Sequence, residues 1–292
     1  MRPIQKPMPL TKEHHDILNT YYRDSDSAYS NWGPDPEISG VYAIHLGFNP
    51  DHKHPMDNRK AVDLMTHKVI VDCRIKPGNQ VLDAGCGVGS ISFKIASMYP
   101  DVRVWPINVV DLQLRKIRNR IVENHVGNVI PSLQDFQQMA LAENSFDRII
   151  FCESLAHAQN KKELIAEAYR VCKPGGRIVI ADSFSYTDEF TAEEKEFFRH
   201  FQEGMGVPSI IKYDIFAKWM QDIGFQNVSG NDITVNMLPS ALFASRHAEK
   251  RIKDDTEATP EITLGRLAMI GIERLMSREK VGYYLITAEK QA

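Results

Sequence analysis

Between positions 80 and 181 the apolar residues follow two alternating patterns. Short runs at 80–84, 102–110, 148–152 and 177–181 read as strands. The stretches between them, 90–99, 112–126 and 161–171, repeat apolar positions at helical spacing, with Ile91, Ile95 and Met98 on one face of the first. Gly127 and the run Lys173-Pro174-Gly175-Gly176 are stop signals for the second and third. Strand and helix alternating at this pitch predict an α/β fold, a mostly parallel sheet with helices on both faces and right-handed crossovers.

Two regions fall outside that rhythm. In the first, a helical start at 11–22 leads into an irregular aromatic stretch to Phe48, a polar loop with His52 and His54, and a helix at 58–73 that enters the sheet. The second follows position 185. It predicts an acidic, aromatic helix at 191–203, a Gly/Pro break at 204–208 and a helix at 213–223. A turn at 224–228 then leads into a late strand, and a charged helix spans 241–253. The run 281–288, rich in Tyr and Ile, is expected as a strand at the sheet edge.

Composition removes classes rather than naming one. The 292 residues are 43% hydrophobic and 25% charged, enough for a sizeable core and incompatible with wholesale disorder. A net charge of -3 advertises neither nucleic acid nor a membrane surface. Four scattered Cys without a CxxC pair suggest neither a disulfide scaffold nor a zinc site, and no metal is expected. No apolar window spans a bilayer and the N-terminus lacks an apolar signal core, so a soluble, cytoplasmic protein is expected. Roughly 100 residues exceed one α/β domain of ordinary size.

The strongest motif is Val81-Leu82-Asp83-Ala84-Gly85-Cys86-Gly87-Val88-Gly89, a strand, a glycine-rich turn and a helix start. Such a turn lets backbone approach a ligand closely, beside a helix N-terminus that favours negative charge. The GxGxG spacing, with an acid two positions earlier, resembles motif I of class I S-adenosylmethionine-dependent methyltransferases. Ile107-Asn108-Val109-Val110-Asp111-Leu112-Gln113, Gln134-Asp135-Phe136, Asn144-Ser145-Phe146-Asp147 and Lys173-Pro174-Gly175-Gly176 match further motifs of those enzymes in order and spacing, over about residues 60–185. The resemblance implies a Rossmann-like class I methyltransferase fold, a mostly parallel seven-stranded sheet binding S-adenosyl-L-methionine. Asp83, Gly85, Cys86 and Gly87 would flank the methionine part. Asn108 would take the ribose, although most members carry Asp or Glu there, and Gln113 would be a second ribose or carboxylate contact. Asp135 and Phe136 would take the adenine.

The acceptor side follows from Phe151-Cys152-Glu153-Ser154-Leu155-Ala156-His157, which leaves a strand at the rim where such sheets bind ligands. A Glu followed by a His here resembles the sterol, tocopherol and prenyl C-methyltransferases. So do Tyr21-Tyr22-Arg23-Asp24-Ser25, Tyr29-Ser30-Asn31-Trp32-Gly33 and His45-Leu46-Gly47-Phe48, which are similar to the entry segment that closes over the cofactor in that branch. The Tyr pair and the Glu/His loop further resemble teleocidin-type terpenoid C-methyltransferases. The resemblance implies Glu153, His157 and Tyr21 as catalytic residues, with Tyr21, Tyr22 and Glu153 also near the cofactor. Trp32, His45, His157, Phe184, Phe201 and Met205 would line the substrate.

The domain expectation is a lid at 1–58 and a cofactor-binding domain at 59–292, with a cap formed by 185–223 and 238–280. The expected reaction is methylation of an alkene carbon of a terpenoid or prenylated small molecule in secondary metabolism. A carbocation would form and then lose a proton, shift a hydride or cyclise. No Arg/Lys cluster with aspartates marks a metal-diphosphate, which favours a substrate without phosphate. A small-molecule N- or O-methyltransferase shares every cofactor motif, and a binding protein without transferase activity is the reading from another class. A homo-oligomer, with the N-terminal segment exchanged between protomers, is also expected.

Overall fold

A computed structural model of the chain describes Tyr22 and residues 42–292 other than Thr256. Tyr21 and Trp32, expected in the lid, lie outside the described residues. The elements run α1 (Asn58–Cys73), β1 (Gln80–Ala84), α2 (Ser90–Met98), β2 (Arg103–Asn108), α3 (Asp111–Glu123), β3 (Ser132–Leu133) and β4 (Phe146–Cys152). After a 3-10 turn (Leu155–His157) come α4 (Lys161–Val171), β5 (Cys172–Ser185), α5 (Ala192–Met205), α6 (Tyr213–Ile223), β6 (Phe225–Asp232), α7 (Thr234–Asp254), α8 (Pro260–Ser277) and β7 (Val281–Lys290).

One seven-stranded sheet holds them in the order β3-β2-β1-β4-β5-β7-β6. The first five strands are parallel, and β7 is antiparallel to both neighbours. The period-two pattern sorts the strands between two cores. Val81, Ile150 and Val179 join the one covered by α1, α2 and the late helices. Leu82, Ile149, Phe151 and Ile178 join the one covered by α4 and α6.

Local signals set the helix ends. The Asp57 side chain accepts from Arg59 N and starts α1. Thr191 and Glu194 close a reciprocal capping box on α5. Thr259 caps α8, with Pro260 in its first turn.

The structure corrects four expectations. The strand at 281–288 is not at the edge. As β7 it lies between β5 and β6, buried on both faces, while the half-exposed β6 takes the edge. The Lys173–Gly176 run does not end before its strand but is a bulge within β5, where pairing jumps from Phe146↔Cys172 to Arg148↔Arg177 and Gly175 sits at φ +72. Met98 turns to solvent, 42% exposed, because α2 ends there, whereas Ile91 and Ile95 are buried. Finally, α8 was not foreseen and α7 begins at Thr234 rather than near 241. The surplus sequence thus builds a layer in which α8 packs along both α5 and α7.

Candidate active site

A cleft of about 700 Å³ opens at the C-terminal ends of β1, β2 and β4. Its floor is the glycine turn. Gly85 sits at φ +76, and a Cβ there would run into Ser154, whose Oγ donates to Ala84 O at 2.7 Å. The loop after β4 can therefore close onto the end of β1 only over glycine. Asp83 is buried behind the turn, where Ser92 Oγ donates to its Oδ2 at 2.6 Å and burial raises its carboxyl to about 6. At the end of β2, Asn108 Nδ2 donates to Gln113 Oε1 at 2.7 Å, and Asn108 Oδ1 accepts from Val110 N. Tyr22, Cys86, Gly87, Phe136 and Glu153 line the same cleft. Asp135 does not line it. Its Oδ1 accepts from Gln137 N at 2.8 Å and turns the loop, so Phe136 presents its ring instead.

A second cavity lies beyond, open to the first. Its walls are largely apolar: Leu46, Phe201 and Met205, then Val207, Met269 and Ile272. His45, His157, Phe201 and Met205 line it. Phe184 does not, and packs instead into the core on the α4 and α6 side of the sheet. It is fully buried against Tyr213, Phe216 and Tyr284, at ring distances of 6.2, 5.2 and 5.6 Å, while its neighbour Ser183 lines the cavity.

The two cavities share Tyr22, Ile44, His45, Glu153 and His157. Glu153 holds a left-handed backbone at φ +50, uncommon for a residue with a Cβ. Its Oε1 accepts from Leu46 N at 2.8 Å and from Tyr283 OH at 2.9 Å. Burial pushes its carboxyl up to about 8, against the opposing pull of those two donors. Among the described residues no group bonds its Oε2.

His157 is placed by carbonyl chemistry. Its Nδ1 lies 3.3 Å from Gly206 O, which can only accept, so Nδ1 carries the hydrogen. In the neutral ring Nε2 then offers its lone pair to Tyr22 OH, 3.1 Å away. His45 follows the same logic, with Nδ1 donating to Leu46 O at 2.9 Å and Nε2 accepting from Thr66 Oγ1 at 3.0 Å. Burial lowers its pKa, so it stays neutral and holds the segment before α1 against that helix.

Tyr283 and Asp182 escaped the sequence. Asp182 accepts from Ala156 N at 3.0 Å and Ser183 N at 2.8 Å, and burial raises it to about 6. Lys161 completes this support. Its Nζ donates to Ala156 O and Ala158 O at 3.1 and 3.0 Å, and burial lowers it to about 8. Among the described residues no group of three or more His, Cys, Asp or Glu could hold a metal ion. No helix among them is long and apolar enough to cross a membrane.

A glycine turn between β1 and α2, an amide pair ending β2 and an acidic loop after β4, all on one seven-stranded sheet, define a methyltransferase. The methyltransferase domain family model matches residues 75–249, and the chain belongs to that family, enzymes that draw their methyl group from S-adenosyl-L-methionine. It is 26% identical to the 27-O-demethylrifamycin SV methyltransferase of Amycolatopsis mediterranei (strain S699), over 98% of this chain and 99% of that one. It is also 26% identical to the sterol 24-C-methyltransferase of Yarrowia lipolytica (strain CLIB 122 / E 150), over 74% of this chain but only 53% of the sterol enzyme. Geranyl diphosphate C-methyltransferase from Streptomyces coelicolor A3(2), solved with Mg2+, geranyl diphosphate and S-adenosyl-L-homocysteine, shares the fold. The TM-score is 0.73 at 15% identity, covering 97% of this chain and all of that one (100%).

Proposed function

We propose that the chain is a C-methyltransferase that adds a methyl group to an alkene carbon of a terpenoid or prenylated small molecule. The carrying observation is the apolar cavity that meets the cofactor cleft at Glu153, His157 and Tyr22. The cleft residues fit S-adenosylmethionine. Asn108 and Gln113 offer donors and acceptors to ribose hydroxyls, and Phe136 offers a ring to adenine. Ser90 and Ile91 open α2 behind Gly89 with no side-chain cap, which suits a carboxylate.

S-adenosylmethionine supplies an electrophilic methyl on a positively charged sulfur. The apolar wall of Phe201, Met205, Val207 and Ile272 holds a chain of carbon against that methyl and keeps water away. The Tyr22 ring faces the place where an acceptor cation would form, and its quadrupole steadies positive charge. His157 Nε2, through the Tyr22 hydroxyl that it bonds, takes the proton that the methylated carbon skeleton must lose. Similarity to the sterol and geranyl diphosphate C-methyltransferases supports this reading.

O-methylation is the second reading. Similarity to the rifamycin methyltransferase over nearly all of both chains favours it, as does an imidazole at the boundary whose neutral form can deprotonate a hydroxyl. The test is a terpenoid and phenol panel incubated with a cofactor carrying an isotopically labelled methyl group, read by NMR. Label on carbon supports the first reading, and label only on oxygen or nitrogen overturns it.

A further inference from the structure

A methyl group passing from the first cavity to the second crosses the boundary formed by Tyr22, Ile44, His45, Glu153 and His157. Three carboxyls line these spaces among the described residues, two of them buried and that of Glu153 half-buried. Asp83 faces only the cofactor cleft, Asp182 only the acceptor cavity, and Glu153 both. We propose that Glu153 tells the charged methyl donor from its neutral product by changing its own protonation, ionising when a sulfonium occupies the boundary and taking a proton back once only the thioether remains.

The geometry makes that exchange cheap. Oε1 is fixed by Leu46 N and Tyr283 OH, two donors that suit the carboxyl in either state. The proton therefore belongs on Oε2, and it can leave or return without moving the backbone. With the cavity empty, burial keeps the group mostly neutral at pH 7, its carboxyl being held at about 8. A cation in the same dry space reverses the balance, because opposite charges attract strongly at low dielectric.

The surrounding groups leave that role to Glu153. On β7, burial raises the Tyr283 phenol and keeps it neutral. On β4, burial likewise keeps the Cys152 thiol neutral. His157 and His45 commit Nδ1 to carbonyls and Nε2 to hydroxyls. Lys161, from α4, spends its ammonium on Ala156 O and Ala158 O beside Asp182 of β5. Asp83 of β1 is bonded by Ser92.

The charge balance runs through one cycle. Donor binding sends a proton from Oε2 to solvent. When the methyl leaves, the sulfur keeps the bonding pair and loses its charge. Glu153 then regains a proton, and the product has no ionic partner to hold it. The inference rests on S-adenosylmethionine as donor and is indifferent to the acceptor.

Calorimetry of the full chain with S-adenosylmethionine and with S-adenosylhomocysteine, from about pH 6.5 to 8.5, tests it. The ratio of donor to product affinity rises by up to about tenfold per pH unit, then levels once Glu153 ionises unaided. Glu153→Gln keeps an acceptor for Leu46 and Tyr283, imitates the protonated carboxyl and flattens the ratio. The cofactor's own amino group titrates alike in both proteins, so their difference isolates Glu153. Tyr283→Phe removes a donor to the carboxylate and moves the levelling point to higher pH. The same pH slope in wild type and Glu153→Gln, or a levelling point unmoved in Tyr283→Phe, overturns the inference and leaves the cofactor reading standing. Failure of both ligands to bind overturns both.

Discussion

At the residue scale the site is an exercise in fixing hydrogens with carbonyls. Gly206 O holds a hydrogen on Nδ1 of His157, and Tyr22 OH meets Nε2. His157→Ala is expected to lower kcat by about 10²–10⁴, the range of general-base catalysis, with S-adenosylhomocysteine affinity unchanged. Single-turnover rates beside calorimetry check this, and a full-rate His157→Ala removes the histidine from the chemistry. Glu153 and His157 were legible because they follow a strong strand at a rim where ligands bind. Tyr283 and Asp182 were not, since each sits in a strand whose apolar run reads as core. Phe184 failed because, two positions beyond Asp182, it packs against Tyr213 and Phe216 of α6 rather than toward the cavity.

At the element scale, the α5–α8 contact sets the shape of the acceptor cavity. A Cβ at Gly204 would run into Leu264 O and stand 2.8 Å from Ala268 Cβ, and one at Gly271 would stand 2.5 Å from Phe197 O. The two glycines let the helices approach closely, and those helices carry Phe201, Met205, Met269 and Ile272 into the cavity. Gly204→Val should push α5 outward, cost about 1–3 kcal/mol of stability and raise the acceptor KM several-fold while sparing cofactor affinity. Steady-state kinetics with each substrate varied decides it, and equal losses for both substrates would contradict the division of labour. The central strands and α6 were legible from periodicity and punctuation. α8 was not, because Gly265 and Gly271 interrupt its apolar face and its partner α5 lies more than 50 residues earlier.

At the scale of the whole molecule, three carboxyls raised by desolvation tie stability to pH. Asp83 and Asp182 are raised to about 6 and Glu153 to about 8. A raised carboxyl contributes its stability in full below its unfolded pKa and loses it as pH climbs through the folded value. The protein free of cofactor should therefore weaken from about pH 5 to 8, by at most ~1.4 kcal/mol per pH unit for each titrating group. Glu153 dominates the upper half of that window. Urea midpoints across the range should fall in wild type and flatten above about pH 6 in Glu153→Gln. A midpoint that rises with pH above about 6.5, where the opposing titration of His45 in the unfolded chain is past its midpoint, would contradict the raised Glu153.

The antiparallel β7 has a consequence for how the enzyme is made. It is the last of the seven strands to be synthesised, yet it takes a place inside the sheet. Until residues 281–290 leave the ribosome, β5 keeps a bare edge, β6 has no partner and Glu153 lacks the Tyr283 hydroxyl. An unpaired edge of that length invites association with other chains. Nascent or prematurely terminated chains should thus be inactive and sticky together, and competence should arrive in one late step when the final strand slots in.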